Sequence, residues 1–262
     1  MLPRPKKRFG QHFLTDRHYL ARIVDTIAPR PADAMVEIGP GTGILTQRLA
    51  AVLDHLHVIE IDRELARGLR TAFPDGKVTV HEGDALDFDF ATLAAPLRVV
   101  GNLPYNVSTP ILFHIAAVAG RICDCTFMLQ KEVVDRMVAA PGTEDYGRLS
   151  VMLQYRFAME SLLDVPPGAF TPPPKVDSAV VRMVPLGEDR PRARDEALFA
   201  QLVGAAFSQR RKTLRNAARA LAGAEAFTRA GIDSGRRGET LSVAEFIALA
   251  DATQLNSPRT IA

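Results

Sequence analysis

The chain has 262 residues and a mass of 28.5 kDa, enough to bury a substantial hydrophobic core. Hydrophobic residues make up 47% and charged residues 24%, a composition that indicates a globular protein and excludes a disordered or fibrous one. A formal net charge of +2 says little about partners, and no uninterrupted apolar stretch is long enough to span a bilayer. We therefore expect no entry into a membrane.

The N-terminal segment and the cysteines both bear on location. Basic residues at 4–8 are followed by residues 9–14 with no apolar core of a signal peptide, so we expect no secretion signal. Cys123 and Cys125 are too close for an unstrained disulfide and lack clustered partners for a zinc site. Free thiols in a reducing, cytoplasmic location follow as the expectation.

Short β-rich runs alternate with helical patterns between residues 34 and 184. The predicted strands are 35–38, 57–61, 77–81, 97–100 and 125–129, and the predicted helices are 18–27, 44–53, 63–73, 109–118 and 131–140. This alternation predicts an α/β fold, with a parallel sheet that carries helices on both faces.

The pattern changes after residue 160. Two further strands, 161–165 and 178–184, are joined through the proline-rich segment 166–174, which is too short for a helical crossover. A mostly parallel seven-stranded sheet with an antiparallel last strand is therefore expected. The charged segment 187–194 suits a linker, and helices are predicted beyond it at 196–207, 210–221, 224–230 and 243–252. We place the domain boundary there, with an α/β domain at 1–186 and a small all-helical domain at 187–262.

A glycine motif follows the first predicted strand. Gly39 and Gly41 lie in the segment 36–43, at the point where the first strand turns into the next helix. Glycines at this point let the backbone come close to a ligand beyond the carboxyl end of the strand. The spacing differs from a dinucleotide fingerprint, and no Lys-Ser/Thr pair completes a phosphate loop. The motif therefore suits an amino-acid-like group better than phosphates.

Acidic residues end the next two strands. Glu60 is placed to accept hydrogen bonds from both hydroxyls of a ribose, and Asp84 could accept one from an adenine amine. Taken singly, each acid equally fits a helix N-cap or a surface charge. Because such groups follow successive strands, together they predict a site for S-adenosylmethionine.

The tetrapeptide Asn102-Leu103-Pro104-Tyr105 follows the fourth strand. The exocyclic amine of a nucleobase is a poor nucleophile, because its lone pair is delocalised into the ring. The Asn102 side-chain oxygen and a carbonyl of Leu103 or Pro104 could bind its N–H groups, while Pro104 stiffens the turn and Tyr105 offers a flat face to a flipped base. We predict methyl transfer to the exocyclic amine of a nucleobase. The alternative is a turn with a buried aromatic.

Basic residues gather in the predicted helix 210–221. At four-residue spacing, three of them would share one helical face, which is typical of a footprint on a phosphate backbone; a solvent-exposed face is the alternative. The candidate RNA-binding residues are Arg210, Arg211, Lys212, Arg215 and Arg219.

Long, ordered motifs resemble those of the small-subunit ribosomal RNA adenine dimethyltransferases. They lie at 8–14, 36–41, 102–110, 127–133, 146–151, 170–182 and 207–216, and so cover nearly the whole chain. The resemblance implies a Rossmann-like class I methyltransferase domain with a helical C-terminal domain that binds rRNA. It also implies dimethylation of two adjacent adenosines near the 3′ end of 16S rRNA, with S-adenosylmethionine as cofactor, no metal and a role in small-subunit biogenesis.

Residue roles carry over by matching position. The implied cofactor contacts are His12, Leu14, Gly39, Glu60, Asp84 and Asn102. The family often has Asn where this chain has His12, which leaves open whether ionisation of His12 matters. Phe170 is expected to stack on the base opposite Tyr105, because core packing poorly explains an aromatic in a proline-stiffened loop. We expect a monomer that binds neither DNA nor membranes.

Three alternatives stay open. Antibiotic-resistance adenine methyltransferases of large-subunit rRNA share the fold, the glycine loop and an Asn-x-Pro-Tyr/Phe motif, but segments 171–177 and 207–216 favour the small subunit. A non-catalytic assembly factor could use the same fold and basic patches to gate ribosome maturation. Adenine-N6 methylation of DNA is disfavoured, because no segment suits a DNA-target recognition domain.

Overall fold

The computed structural model describes residues 11–74, 76–209 and 211–254. In chain order, its strands and helices are β1 Phe13–Leu14, α1 Arg17–Ile27, β2 Met35–Ile38, α2 Ile44–Ala50, β3 Leu56–Glu60, α3 Arg63–Ala72, β4 Val78–Glu82, β5 Leu97–Asn102, α4 Ser108–Ala117, β6 Ile122–Gln130, α5 Lys131–Val138, α6 Arg148–Gln154, β7 Phe157–Val165, β8 Phe170–Thr171, β9 Ser178–Pro185, α7 Glu196–Ser208, α8 Leu214–Ala217, α9 Ala224–Ala230 and α10 Val243–Gln254.

Seven strands form one sheet in the order β4-β3-β2-β5-β6-β9-β7. Strand β2 pairs in parallel with β3 and β5, which in turn pair in parallel with β4 and β6, whereas β9 is antiparallel to β6. The predicted α/β fold, with an antiparallel last strand on a mostly parallel sheet, is confirmed. Because β2 to β5 run in parallel, their carboxyl ends meet at one edge, where ligands bind in such folds.

Burial explains why strand β2 is mostly apolar in sequence. Every residue of Met35–Ile38 is buried, as expected for a parallel strand covered on both faces. Helix α1 packs Leu20, Ile23 and Ile27 into the same core. Its N-terminus is capped by the Asp16 carboxylate, which accepts the backbone N–H groups of the second and third helical residues. The cap sets the point at which the N-terminal segment turns into the first helix.

Arg98 ties α1 to the amino ends of the central strands. Its guanidinium donates to the Ile27 carbonyl at 2.6 Å, to Asp33 at 2.6 Å and to Asp124 on the next strand at 2.8 Å. Asp124 also pairs with Arg182 of β9 at 3.1 Å. This ion-pair network lies at the end of the sheet opposite the glycine loop, so we assign it to folding and not to ligand binding.

A second, two-stranded sheet joins distant parts of the chain. Strand β1 pairs antiparallel with β8, with Leu14 opposite Phe170 and Phe13 opposite Thr171. The next backbone N–H, of Thr15, donates to the Ala169 carbonyl at 2.8 Å. The pairing fixes the N-terminal segment beside the loop that precedes β9.

The chain forms two compact units. One runs to Val134 and includes Ala158–Pro185, and the other comprises Asp135–Phe157 with the described residues from Leu186 onward. This division differs from the predicted domains, 1–186 and 187–262, in the segment Asp135–Phe157. The physical reason is aromatic packing, since Tyr146 and Tyr155 lie in the core cluster of the second unit. The Tyr146 hydroxyl donates to the Leu241 carbonyl at 2.9 Å.

The predicted helix 210–221 is wrong. Only Leu214–Ala217 is helical, and Thr213 before it is extended, with φ −68° and ψ 157°. The first N–H groups of α8 donate to loop carbonyls, from Leu214 to Arg236 at 2.8 Å and from Arg215 to Ser234 at 3.0 Å. These bonds start a new helix at this point, so the basic residues do not line one face of a long helix.

Histidines on β3 and β4 predict a pH-dependent stability. His57 Nδ1 lies 3.1 Å from His81 Nε2, and burial, followed by repulsion from His55 and His81, lowers the pKa of His57 from 6.5 to about 4. The folded state thus binds fewer protons than the unfolded state between pH 6.5 and 4, and stability should fall as pH falls through this window.

Urea unfolding at several pH values measures this effect. In His57→Gln the titrating group is absent, so the loss of unfolding free energy between pH 6.5 and 4 should be smaller than in the parent. An identical pH profile for the two proteins would show that His57 does not contribute.

Candidate cofactor and base site

One cavity lies at the carboxyl ends of β2, β3, β4 and β5. Every predicted cofactor contact lines it, and so does the whole tetrapeptide after β5. These residues are His12, Leu14, Gly39, Gly41, Glu60, Asp84, Asn102, Leu103, Pro104 and Tyr105. The structure thus brings together positions that are separated by about ninety residues in the sequence, through the parallel strand order.

The glycine loop needs a backbone that other residues rarely adopt. Gly39 and Gly41 have φ values of +68° and +59°. A Cβ added to Gly41 would lie 3.2 Å from the Phe13 ring, and one added to Gly39 would lie 3.6 Å from the Asn102 carbonyl. The loop therefore packs closely between β1 and the tetrapeptide, and side chains there would narrow the cavity.

Glu60 is a buried carboxylate with an organised environment. Its two oxygens accept backbone N–H groups from Asp62 at 2.8 Å and Gly41 at 3.1 Å. Burial raises its pKa, and these two hydrogen bonds partly oppose the shift. Each carboxylate oxygen can accept a further hydrogen bond, so the group remains able to bind two hydroxyls. Asp84 uses Oδ1 to accept from Leu86 N at 2.9 Å.

Asn102 is oriented by the N-terminal segment. Its Nδ2 donates to the His12 carbonyl at 3.1 Å. Because a carbonyl oxygen can only accept, this bond assigns the amide nitrogen and leaves Oδ1 as the acceptor toward the cavity. Sequence reasoning named both residues, but it did not connect them.

The turn after Asn102 is held by its own backbone. Leu103 N donates to the Met128 carbonyl at 3.1 Å, and the Pro104 carbonyl accepts from Val107 N at 3.1 Å. The Leu103 side chain is buried in the core. Only the backbone of Leu103 is therefore offered to a ligand.

Tyr105 is held in place through its hydroxyl group and through one face of its ring. Its hydroxyl is 2.7 Å from Ser178 Oγ, and burial raises its pKa, with the Ser178 hydrogen bond opposing the shift. The His12 imidazole stacks on the ring, with centroids 5.6 Å apart and planes inclined by 23°. His12 is held in turn by a 2.8 Å bond between Nδ1 and the Pro172 carbonyl. The stacked imidazole shows that this face of Tyr105 accepts a flat ring.

Phe170 is buried in the core, although the sequence predicted that it stacks on the base opposite Tyr105. Its side chain is 3% exposed and belongs to the hydrophobic core cluster with Leu14 and Ala169, and it is not among the residues that line the cavity. The proline-rich loop does not expose it, because Phe170 lies in β8 opposite Leu14 of β1 and packs with Leu14 in the same core cluster. This burial supports a role for Phe170 in the core, and its stacking on a base opposite Tyr105 stays a prediction.

Substitution of Phe170 distinguishes a role in core packing from a role in stacking on the base. A buried phenylalanine should cost about 3–5 kcal/mol of unfolding free energy when replaced by Ala, whereas Phe170→Leu should retain most of it. Urea unfolding of both variants measures this difference. A Phe170→Ala protein that folds with parental stability but does not methylate would favour the stacking role inferred from sequence.

Sequence reasoning missed two residues that line the cavity, Glu37 and Ile61, and two residues that hold cavity side chains in place, Thr46 and Ser178. Glu37 and Thr46 are both buried and hydrogen-bonded to each other, and Ser178 holds Tyr105. Ile61, directly after Glu60, lines the cavity although it is 43% exposed. The sequence signal that could have identified Ile61 is its position directly after Glu60, the acid that ends β3. In the described part of the chain, no group of three or more His, Cys, Asp or Glu side chains could hold a metal ion.

The basic residues lie in the second unit. Arg211, Lys212, Arg215 and Arg219 are exposed, while Arg210 lies outside the described residues. Across residues 11–74, 76–209 and 211–254, no helix is both long and apolar enough to cross a membrane.

The sheet order, the glycine loop and the acids at successive strand ends define a Rossmann-like methyltransferase. Comparison with known proteins is consistent with this class. The chain belongs to the ribosomal RNA adenine dimethylase family, whose model matches residues 3–255.

Relatives and solved structures share most of its length. It is 59% identical, over 99% of this chain and 98% of the relative, to ribosomal RNA small subunit methyltransferase A of Aromatoleum aromaticum. The corresponding protein of Chromobacterium violaceum is 58% identical over 94% of this chain and 95% of its own. The 23S rRNA methyltransferase ErmE superposes with a TM-score of 0.71 at 27% identity, covering 92% of this chain and 99% of that one. A Plasmodium falciparum dimethyladenosine transferase, at 24% identity and a TM-score of 0.77 over 91% and 96%, shares the fold.

Proposed function

We propose that this chain transfers methyl groups from S-adenosylmethionine to N6 of two adjacent adenosines near the 3′ end of 16S rRNA. It would act as a monomer in the cytoplasm and contribute to biogenesis of the small ribosomal subunit. The observation that carries the proposal is the single cavity shared by Gly39, Glu60, Asp84 and Asn102. The choice of subunit is supported by relatives that are 58–59% identical and named for the small subunit.

The cavity residues fit S-adenosylmethionine. Glu60 retains acceptor capacity for the ribose hydroxyls, and Asp84 Oδ2 remains for the adenine amine. Ile61 offers an apolar surface beside Glu60, and the Gly39 backbone borders the space for an amino-acid group. When bound, this cofactor supplies an electrophilic methyl group on a sulfonium.

Asn102 and Leu103 would prepare the target amine. Asn102 Oδ1 and the Leu103 carbonyl accept its two N–H groups, which draws the nitrogen lone pair out of conjugation with the ring. The Pro104 carbonyl already accepts from Val107, which favours Leu103 as the second acceptor. The base would take the face of Tyr105 that His12 covers, and the proton lost from N6 passes to water.

The basic segment of the second unit would bind rRNA phosphates. Reversing charge in the double variant Arg211→Glu/Arg215→Glu should weaken binding and reduce the slope of log K against log salt by about one per lost phosphate contact. Filter binding over a series of salt concentrations measures this slope. The control makes the same charge change at two exposed arginines elsewhere, Arg67 and Arg192. Equal slopes for parent and basic-segment variant would indicate a solvent-exposed segment instead.

Parallel methylation of purified small and large ribosomal subunits tests which subunit is the substrate. Subunits that lack the modification are incubated with labelled S-adenosylmethionine, and label is expected in small subunits only. Because the chain is similar in structure to the 23S rRNA methyltransferase ErmE, label in large subunits is the result that would contradict the proposed substrate. A gating role without catalysis predicts instead that Asn102→Ala restores normal subunit maturation in cells that lack the parent protein.

A further inference from the structure

Glu37 is an enclosed carboxyl group that methyl transfer, as proposed, does not use. It lies on β2, is 2% exposed and lines the cavity. Thr46 on α2, itself fully buried, donates its hydroxyl to Glu37 Oε2 at 2.7 Å. The side chain is therefore held in one position, between the first strand and the helix that follows the glycine loop.

An ionised Glu37 would lack a cationic partner among the residues that the structure describes. Across residues 11–74, 76–209 and 211–254, no ion pair involves Glu37, and Thr46 supplies its side-chain hydrogen bond. Burial raises the pKa of Glu37 to about 8, the Thr46 hydrogen bond opposes this shift, and the negative charge of Glu60 adds to it. Near neutral pH the group is accordingly a neutral acid.

The other titratable groups around the cavity do not neutralise it. Glu60 faces it from β3, Asp84 follows β4, Tyr105 follows β5 and His12 precedes β1. The α2 residues that line the cavity, Ile44 and Leu45, are apolar, and Thr46, which donates to Glu37, is uncharged. Two of these groups are acids, so the cavity as a whole favours a cation. A ligand with an added positive charge should stabilise the ionised form of Glu37, and a neutral ligand of the same shape should not.

We propose that Glu37 distinguishes the cofactor from its product, releasing its proton to solvent when the cationic sulfonium compound binds and retaining it when the neutral thioether binds. The inference rests on the proposed function for the identity of the ligand. S-adenosylmethionine carries one positive charge more than S-adenosylhomocysteine, and the two are otherwise alike apart from the methyl group. Selectivity for the cofactor over the product should therefore increase with pH up to the pKa of Glu37.

Calorimetry in two buffers with different ionisation enthalpies measures the protons released on binding. With the full chain at pH 7, we expect about one proton released per S-adenosylmethionine and clearly fewer per S-adenosylhomocysteine. Binding of S-adenosylmethionine without proton release, or equal release with both compounds, would overturn the inference alone. Failure of both compounds to bind would overturn the proposed function as well.

Glu37→Gln is the matched variant, because Gln keeps the shape and an acceptor oxygen for Thr46. It should lose the proton release specific to S-adenosylmethionine, and the ratio of the two affinities at pH 8 should fall by about tenfold. Glu188→Gln is the control, because it makes the same chemical change at an exposed carboxyl group outside the cavity, and it should keep the release. Release that persists in Glu37→Gln or disappears in Glu188→Gln would contradict the assignment.

Infrared difference spectroscopy provides a test that needs no variant to fold. Binding of S-adenosylmethionine to the unmodified protein should remove the carbonyl stretch of a protonated carboxylic acid, and S-adenosylhomocysteine should leave it in place. A spectrum in which neither compound changes that band would overturn the inference.

Discussion

Asn102→Ala is expected to lower the rate of methyl transfer by at least about 10²–10³-fold, the loss seen when one preorganised hydrogen-bonding group is removed from a reacting centre. Asn102 Oδ1 is the side-chain acceptor directed at the target amine, and its orientation depends on the 3.1 Å bond from Nδ2 to the His12 carbonyl. The variant loses both functions together. Cofactor affinity should weaken only modestly, because Gly39, Glu60 and Asp84 are unchanged.

Single-turnover methylation of small subunits at saturating RNA measures the chemical step, and calorimetry measures cofactor affinity. Gln201→Ala also removes a side-chain amide, at an exposed position of α7 outside the cavity and outside the basic segment, and its rate should equal that of the parent. If Asn102→Ala methylated at a near-parental rate, Asn102 would have no role at the reacting centre.

Gly101→Ala is expected to destabilise the protein by about 3 kcal/mol or more, because the interior around it cannot accept a methyl group. A Cβ at Gly101 would lie 2.3 Å from the Ile38 carbonyl oxygen, on the neighbouring strand β2. Relief of that contact would separate β5 from β2, and Asn102 is the next residue of β5. The same substitution should therefore also disturb the cavity.

Gly68→Ala is a control with the opposite expected sign. Gly68 lies inside α3, is exposed, and an added Cβ would meet nothing within 4 Å. Ala is favoured over Gly in a helix interior, so this variant should gain about 0.5–1 kcal/mol. Urea unfolding of the two variants measures both effects. Equal stability of Gly101→Ala and the parent would mean that β2 and β5 are not so closely packed.

Local sequence patterns predicted the elements that carry the cavity. Hydrophobic runs located β2 to β6, and α1 to α5 begin within one residue of their predicted starts. Parallel strand order then brought Gly39, Glu60 and Asp84 to one edge. This was predictable because alternation of strands and helices restricts the topology.

Long-range pairing was not predictable in the same way. The bond between Asn102 and His12, and the burial of Phe170, both depend on β1 pairing with β8, two short strands far apart in the chain. Two-residue strands leave no periodic signal. The prediction of a helix at 210–221 was wrong for a related reason, since the first N–H groups of α8 bond to carbonyls of the distant residues Ser234 and Arg236, which local sequence does not reveal.

Mass spectrometry of 16S rRNA tests the central claim most directly. Small subunits from cells that lack the modification are incubated with the purified protein and S-adenosylmethionine, and the rRNA is digested and sequenced by mass. The proposed function requires two adjacent N6,N6-dimethyladenosines near the 3′ end, and none when Asn102→Ala replaces the parent protein. Unmodified 16S rRNA, or methyl groups found only on 23S rRNA in a parallel digest of large subunits, would contradict it.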